Sequence, residues 1–378
     1  MNSSVSLTKC TTYDEEKVAA ALERAIDLLG GIDRYVKPGQ RVLLKVNLLR
    51  ASAPDDAVCT HPAVVKAMVR LVQKAGAHPV IGDSPGGPFN AAWVRAVYRK
   101  SGMSQVAEET GAELNQDFSE TRLSHPNGRL IKSLAVGAYV TQADVVISMP
   151  KLKTHGFMHL TGATKNLFGV IPGTVKMGYH SRLPEREQFG EMLIDILTLI
   201  RPALSVMDGI VGMAGAGPAA GDPFAVGALL VSSDAVALDV VAATLVGMNV
   251  EAIYPLRAAI RRGLSTGRVA DVAILGDPLS SFEVQGFQPP QTGGDGPQMP
   301  VWMRKIFNYS FVAYPRANDD CIGCGVCARN CPVKAITIVD KRARMDLNTC
   351  IRCYCCHEMC PERAIDLKKS WLAVLLRR

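Results

Sequence analysis

The chain has 378 residues, with 42 Lys+Arg against 35 Asp+Glu and a formal net charge of +7. Its 48% hydrophobic and 20% charged content excludes a disordered polyampholyte and describes a globular chain long enough for two cores. The charge is uneven: residues 1–300 hold 28 basic and 28 acidic side chains, so the whole surplus falls in residues 301–378. The opening Met1-Asn-Ser-Ser-Val-Ser-Leu-Thr-Lys-Cys10 lacks an apolar signal core. No run reaches the ~18 apolar residues of a spanning helix, so no transmembrane segment is expected. A cytoplasmic location fits the cysteine usage.

In chain order, residues 14–29 read as an amphipathic helix, followed by an apolar strand at Arg41–Val46. A helix at Pro62–Lys74, with Lys66 on its solvent face, leads to a buried strand at His78–Gly82 and a helix at Asn90–Arg99. Strands are expected at 144–149, 203–207 and 228–232, and helices at 185–199, 234–246 and 252–262. Apolar strands alternating with helices predict an α/β fold, a mainly parallel sheet with helices on both faces. In such sheets the ligand crevice lies beyond the carboxyl ends of the strands, which directs attention to the polar residues there.

Four such places stand out. Lys45 and Asn47 close the first apolar strand, and His61 stands just before a helix. The next strand ends in Asp83-Ser84-Pro-Gly-Gly87. A third place runs through Lys151-Leu-Lys153-Thr-His155-Gly156 to Thr161-Gly162-Ala-Thr-Lys165-Asn166. The fourth is Asp208-Gly209, opening a run with glycines at 212, 215, 217 and 221. Lys45, Asn47, His61, Asp83, Ser84 and Asp208 are cofactor-binding candidates, with turn capping as the plain structural alternative.

The third place carries the most chemistry. Between Asp144 and Glu185 no acidic residue occurs, yet Lys151, Lys153, Lys165, Lys176 and Arg182 fall there with three histidines. Such a stretch predicts an anion site for a carboxylate or phosphate, with Lys151, Lys153, His155, Lys165 and Asn166 as the catalytic candidates; a solvated basic loop is the alternative. His155 and His159 have the spacing of helical metal ligands, but the glutamate of H-E-x-x-H is missing and Gly156 opposes a helix. The glycine run is out of register for a dinucleotide fingerprint, because Pro218 follows Gly217 and no third glycine opens a helix.

Together the Lys-x-Lys-x-His, Thr-Gly-x-x-Lys-Asn and Asp-Gly elements resemble the family known as domain of unknown function 362, over about residues 40–250. That family often carries a glutamate in the glycine run where this chain has Ala214, so an acidic role is impossible there. The resemblance implies an architecture, and often a joined ferredoxin domain, but no reaction.

Pro289-Pro-Gln-Thr-Gly-Gly-Asp-Gly-Pro297 reads as a linker, which divides the chain into an α/β domain at 1–297 and a second domain at 298–378. The aromatic segment Val301–Tyr314 is expected to dock between them. Then come Cys321-Ile-Gly-Cys324-Gly-Val-Cys327-Ala-Arg-Asn-Cys331-Pro and Cys350-Ile-Arg-Cys353-Tyr-Cys-Cys356-His-Glu-Met-Cys360-Pro. Both match C-x2-C-x2-C-x3-C-P, in which the fourth cysteine ligates the other cluster. Two 4Fe–4S clusters are therefore expected, one on Cys321, Cys324, Cys327 and Cys360, the other on Cys350, Cys353, Cys356 and Cys331. Gly323 and Gly325 let the loop backbone approach the first. Cys355 falls outside both frames. C-x-x-C-H at Cys353–His357 also fits haem attachment, but that would strand Cys350 and Cys360.

These frames, with the repeated Cys-Pro-x-x-Ala-Ile at 331–336 and 360–365, resemble the dicluster bacterial ferredoxins. Part of the carboxy-terminal basicity then offsets cluster charge, and no nucleic-acid partner is expected. The tail Trp371–Arg378 is too short to span a membrane and could at most touch its surface. The reading is an iron–sulfur redox protein that passes single electrons between the ferredoxin domain and an α/β domain holding an anionic substrate or cofactor. The rivals are a plain electron carrier whose α/β domain recognises a partner protein, and a non-redox enzyme with structural clusters.

Overall fold

A computed structural model describes residues 3–290, 292 and 312–368. Most of the expected linker, the docking segment before residue 312 and the tail Trp371–Arg378 lie outside the described residues.

The chain opens with β1 (Ser4–Lys9) and α1 (Glu15–Asp27), the helix capped by the Asp14 carboxylate on the Lys17 amide. Next come β2 (Arg41–Lys45), α2 (Pro62–Lys74), β3 (His78–Gly82), α3 (Ala91–Lys100), α4 (Met103–Thr110) and β4 (Glu113–Leu114). A side hairpin, β5 (Glu120–Ser124) with β6 (Ser133–Gly137), precedes α5 (Ala138–Thr141) and β7 (Val145–Ser148). The central part continues through β8 (Lys151–His155), β9 (His159–Thr161), α6 (Ala163–Asn166), α7 (Gly173–Arg182) and α8 (Arg186–Ile200). It closes with β10 (Leu204–Ala214), β11 (Asp222–Ser232), α9 (Ala235–Leu245), α10 (Tyr254–Arg261) and β12 (Ala273–Gly276).

The main sheet has the order β12-β1-β11-β10-β7-β2-β3-β4, with β8 and β9 added beside β10. Its centre, β10-β7-β2-β3-β4, is parallel throughout, while β11 pairs antiparallel with both β1 and β10. Alternation along β2 shows why both faces are covered. Val42 and Leu44 enter the core under α1 and α2, whereas Leu43 enters the opposite core with α8. All three are fully buried. Each such side chain contributes roughly 1.5–3 kcal/mol of transfer free energy. The α/β architecture is as the strand–helix alternation predicted.

One element differs in kind from its sequence reading. The Lys-x-Lys-x-His segment is a hairpin, in which His155 pairs directly with His159 across β8 and β9. The four-residue spacing thus marks a turn, and His159 takes a positive φ of 69° beside it. Lys66 is another correction: it is 8% exposed and ion-paired with Glu15 and Glu109, because α1 and α4 pack over α2.

The carboxy-terminal unit pairs β13 (Tyr314–Ala317) with β16 (Ile365–Lys368) and β14 (Ile336–Val339) with β15 (Arg342–Met345). It packs closely on the α/β unit. Tyr354, 1% exposed, joins the same core as Phe157, Phe189 and Tyr254, and His357 Nε2 lies 3.0 Å from the Ala216 carbonyl. Arg50 donates to the carbonyls of Cys360 and Ala219. The glycine run therefore forms part of the seat for the carboxy-terminal unit.

Candidate functional site: a lysine cleft against the cysteine loops

The two cysteine frames fold as a pseudo-repeat. In each, the amide four residues after the last cysteine donates to its sulfur, Ala335 N to Cys331 Sγ and Ala364 N to Cys360 Sγ, both at 3.2 Å. Lys334 and Arg363 take matching left-handed φ values of 55° and 54° to allow it. Cys321, Cys324, Cys327 and Cys360 line one cavity. Burial pushes the Cys327 thiol up to about 11, and the thiolates of Cys360, Cys321 and Cys324 add to it. Cys350, raised chiefly by burial, is likewise influenced by Cys353 and Cys331. Cys360 thus stands with the first three cysteines of the first frame, and Cys331 lies near Cys350 of the second. Thiol sulfurs gathered in this way fit a cubane, and the amide donors suit its sulfur-rich surface. Gly323 makes the turn possible: at φ +68° its Cβ would lie 2.6 Å from the Lys341 backbone. His357, the histidine of the C-x-x-C-H frame, is held between the carbonyls of Ile365 and Ala216.

Beyond the carboxyl ends of β2 and β3 lies a cleft of about 700 Å³, counting its open mouth. Lys45, Asn47, Asp83, Ser84, Lys153, Lys165 and Asn166 line it, joined by Lys176 and His180 of α7. The carboxy-terminal unit supplies Cys355, Glu358 and Met359. The cleft is therefore walled on one side by the sheet and on the other by the loop that holds Cys353 and Cys356.

The lysines differ in how their three donors are occupied. Lys45 Nζ meets the Val46 carbonyl at 2.6 Å, Asn166 Oδ1 at 3.0 Å and Asp83 Oδ1 at 2.8 Å, so none remains for a ligand. Asn166 braces this arrangement, donating in turn to Lys45 O and Ser148 Oγ. Gly169 leaves the room, since a Cβ there would lie 2.2 Å from Asp83 Oδ1. Among the described residues Lys153 donates only to the Val58 carbonyl, at 2.5 Å, and burial lowers its pKa to about 7. Lys176 donates to the Ser84 carbonyl and is also lowered by burial to about 7. Half-buried Lys165 stands 5.8 Å from the Phe168 ring centroid, with no hydrogen bond or ion pair to another described residue.

Four predicted site residues lie elsewhere. Lys151 is fully buried and points away from the cleft; its Nζ meets Asp208 Oδ2 and Tyr13 Oη, each at 2.7 Å. The other carboxylate oxygen of Asp208 accepts from Tyr13, and the His61 amide donates to Asp208 Oδ2 at 2.9 Å. The His61 ring stacks on Tyr13 at 3.5 Å, and burial lowers its pKa to about 4. Lys151, His61 and Asp208 thus form a separate knot with Tyr13. The acid-free stretch is not acid-free in space, because β10 lays Asp208 beside Lys151. His155 is buried behind the cleft: its Nδ1 accepts from the amides of Phe157 and Met158, which places the ring proton on Nε2. That atom faces Glu358 Oε1 at 3.3 Å. Burial pushes the Glu358 carboxyl up against the pull of Lys165.

Sequence reasoning counted Lys176 and His180 in the basic stretch without making them site residues, and did not single out Glu358. The first two had a signal, since Gly173, Lys176, Met177 and His180 follow the i, i+3, i+4, i+7 pattern of one helix face. Glu358 had none.

These features define an α/β protein fused to a ferredoxin-type 4Fe–4S unit. The family described as Domain of unknown function (DUF362) matches residues 42–244, and the 4Fe-4S dicluster domain matches residues 320–369. The "Thylakoid-associated protein sll1697" of Synechocystis sp. is 37% identical over 266 residues, covering 70% of this chain and 81% of that one. The chain belongs to the DUF362 family. Among solved structures, the lactate racemase apoprotein from Thermoanaerobacterium thermosaccharolyticum aligns with a TM-score of 0.40 at 13% identity, over 62% of this chain and 55% of that one. A Thermotoga maritima protein aligns with a TM-score of 0.32 at 17% identity, over 53% of this chain and 50% of that one. No helix among the described residues is long and apolar enough to cross a membrane.

Proposed function

We propose that this protein is an iron–sulfur oxidoreductase whose carboxy-terminal unit holds two 4Fe–4S clusters and exchanges single electrons with an anionic molecule bound in the lysine cleft. The division falls at residues 297 and 298, and the ligand sets are those of the crossed frames. One observation carries the reading: Cys355, Glu358 and Met359, from the loop between Cys353 and Cys360, line the same cleft as Lys153 and Lys165. A plain carrier would have no need to bury that loop against a pocket in its own chain. A 4Fe–4S cluster supplies one-electron chemistry at low potential.

The residues of the chain do the rest. Lys153, Lys165 and Lys176 attract and hold the anion. The Lys45–Asp83–Asn166 assembly keeps the strand ends rigid, and Tyr354 and Arg50 keep the cysteine loop seated. An external redox protein fits the other side of the unit, where Cys324 is exposed and Ile322 is 61% exposed. A cytoplasmic location remains part of this reading, on cysteine usage; the Synechocystis relative is described as thylakoid-associated.

The test is anaerobic purification followed by iron analysis, EPR and mass spectrometry of released small molecules. About eight irons per chain, two EPR-active centres on reduction and a retained anion are expected. Haem, zinc or a single cluster would overturn the cofactor assignment. Cluster reoxidation that is unchanged by the retained molecule would overturn the enzymatic reading in favour of a carrier.

A further inference from the structure

We infer that the lysine cleft binds a phosphorylated small molecule, with the phosphate held by Lys165, Lys176 and the amino end of α7. This rests on the reading of the cleft as an anion site and names the anion's class.

Charge comes first. The lining holds Lys45, Lys153, Lys165 and Lys176 against Asp83 and Glu358, so with every one of these groups ionised four positive charges face two negative ones. Lys45 and Asp83 satisfy each other at 2.8 Å. The surplus of two therefore rests on Lys153, Lys165 and Lys176, and suits a dianion.

Unpartnered polar atoms come second. Ser84, Thr161 and His180 line the cleft and are 1%, 3% and 5% exposed, yet among the described residues Ser84 Oγ, Thr161 Oγ1 and His180 Nδ1 have no hydrogen-bond partner, and neither do the acceptors Asn47 Oδ1 and Glu358 Oε1 beside them. Buried polar atoms are almost always paired, so three together around one cavity mark groups shaped for a ligand. Two hydroxyls and three ammonium groups are donors, and a phosphate offers oxygens enough for all of them.

The third observation is a helix end of the kind that receives phosphates. Helix α7 runs from Gly173 to Arg182 with Pro172 as its cap residue and no side-chain cap, and it turns Gly173, Lys176, Met177 and His180 to the cleft. Its first-turn amides and dipole favour an anion at that end. Among the described residues no arginine lines the cleft, so the anion would be met by lysine point charges and a helix amino end, the combination that phosphate-binding loops use.

The test uses the anaerobically purified holoprotein and calorimetry at constant ionic strength, with glycerol 3-phosphate, inorganic phosphate, malonate and acetate as probes. Glycerol 3-phosphate is expected to bind about tenfold or more tighter than malonate, with acetate weakest. Lys165→Met and Lys176→Met should each weaken it about ten- to a hundredfold, with parental cluster EPR. Ser84→Ala should weaken it severalfold, and Lys100→Met, at an exposed position on α3, should not change it. Malonate binding as tightly as the phosphates would overturn the phosphate assignment and leave the anion site standing. Phosphate binding that survives both lysine changes would place the anion elsewhere and overturn this site. No binding of any probe by folded, cluster-loaded protein would overturn the phosphate assignment and the anion reading together.

Discussion

Lys151 and Lys165 lie fourteen residues apart in one acid-free stretch, yet they do opposite things. Lys151 is fully buried against Asp208, and removing one partner would leave a charge stranded without water. Asp208→Asn is expected to cost about 3–5 kcal/mol of stability, read by urea unfolding, with little change in anion affinity. An unaltered midpoint would show that the knot with Tyr13 and His61 is not structural. Lys153 and Lys176 respond to pH instead. Burial lowers both to about 7 from an ordinary 10.5, so between these values the unfolded chain binds more protons and stability rises with pH. Cys59, Lys165, Glu358 and Lys151 act on Lys153, and Asp83, Lys45 and Lys165 on Lys176. A bound anion favours the charged lysines, so binding above pH 7 should take up about one to two protons. Calorimetry in two buffers of different ionisation enthalpy measures this, and zero uptake at a pH one unit higher would contradict it.

At the scale of elements, the crossing of the cysteine frames and the seat of α7 are the points to test. Cys331→Ser is expected to damage chiefly the centre held by Cys350, Cys353 and Cys356, and Cys360→Ser the one held by Cys321, Cys324 and Cys327. EPR showing loss of the local centre in each variant would mean that the frames do not cross. Gly173 opens α7 so close to β3's following loop that a Cβ would lie 1.9 Å from the Gly87 carbonyl. Gly173→Ala must therefore push the helix end away, and should reduce glycerol 3-phosphate affinity about tenfold or more while the clusters persist. Parental affinity would remove the helix end from the site.

At the scale of the whole molecule, the two units share a core through Tyr354 and a buried polar joint through Arg50. Arg50 is 7% exposed and donates to carbonyls on both units, Ala219 and Cys360. Arg50→Ala is expected to leave those carbonyls unpaired at a cost of about 1–3 kcal/mol and to loosen the loop around Cys353 and Cys356. Faster amide exchange at residues 353–360, with unchanged exchange in β2 and β3, is the expected signature. Equal exchange in the parent and in Arg50→Ala would show that the joint holds without this residue.

The cysteine frames made the ferredoxin-type 4Fe–4S unit legible, because the spacing of cysteines within a short loop does not depend on the rest of the fold. The parallel sheet was also legible, since buried strands such as Arg41–Lys45 and helices such as Pro62–Lys74 carry their periodicity locally. The membership of the cleft was legible only in part: seven of the eleven candidates line it, while Lys151, His155, His61 and Asp208 do not. Lys45, Asp83 and Asn166 come from distant segments and are joined only by strand order, and β10 alone decided that Lys151 is neutralised while Lys165 is not. Glu358, between two cluster cysteines, reached the cleft through docking of the second unit, which no local pattern encodes. Charge is a property of neighbours in space, and for these lysines the neighbours were chosen by tertiary packing.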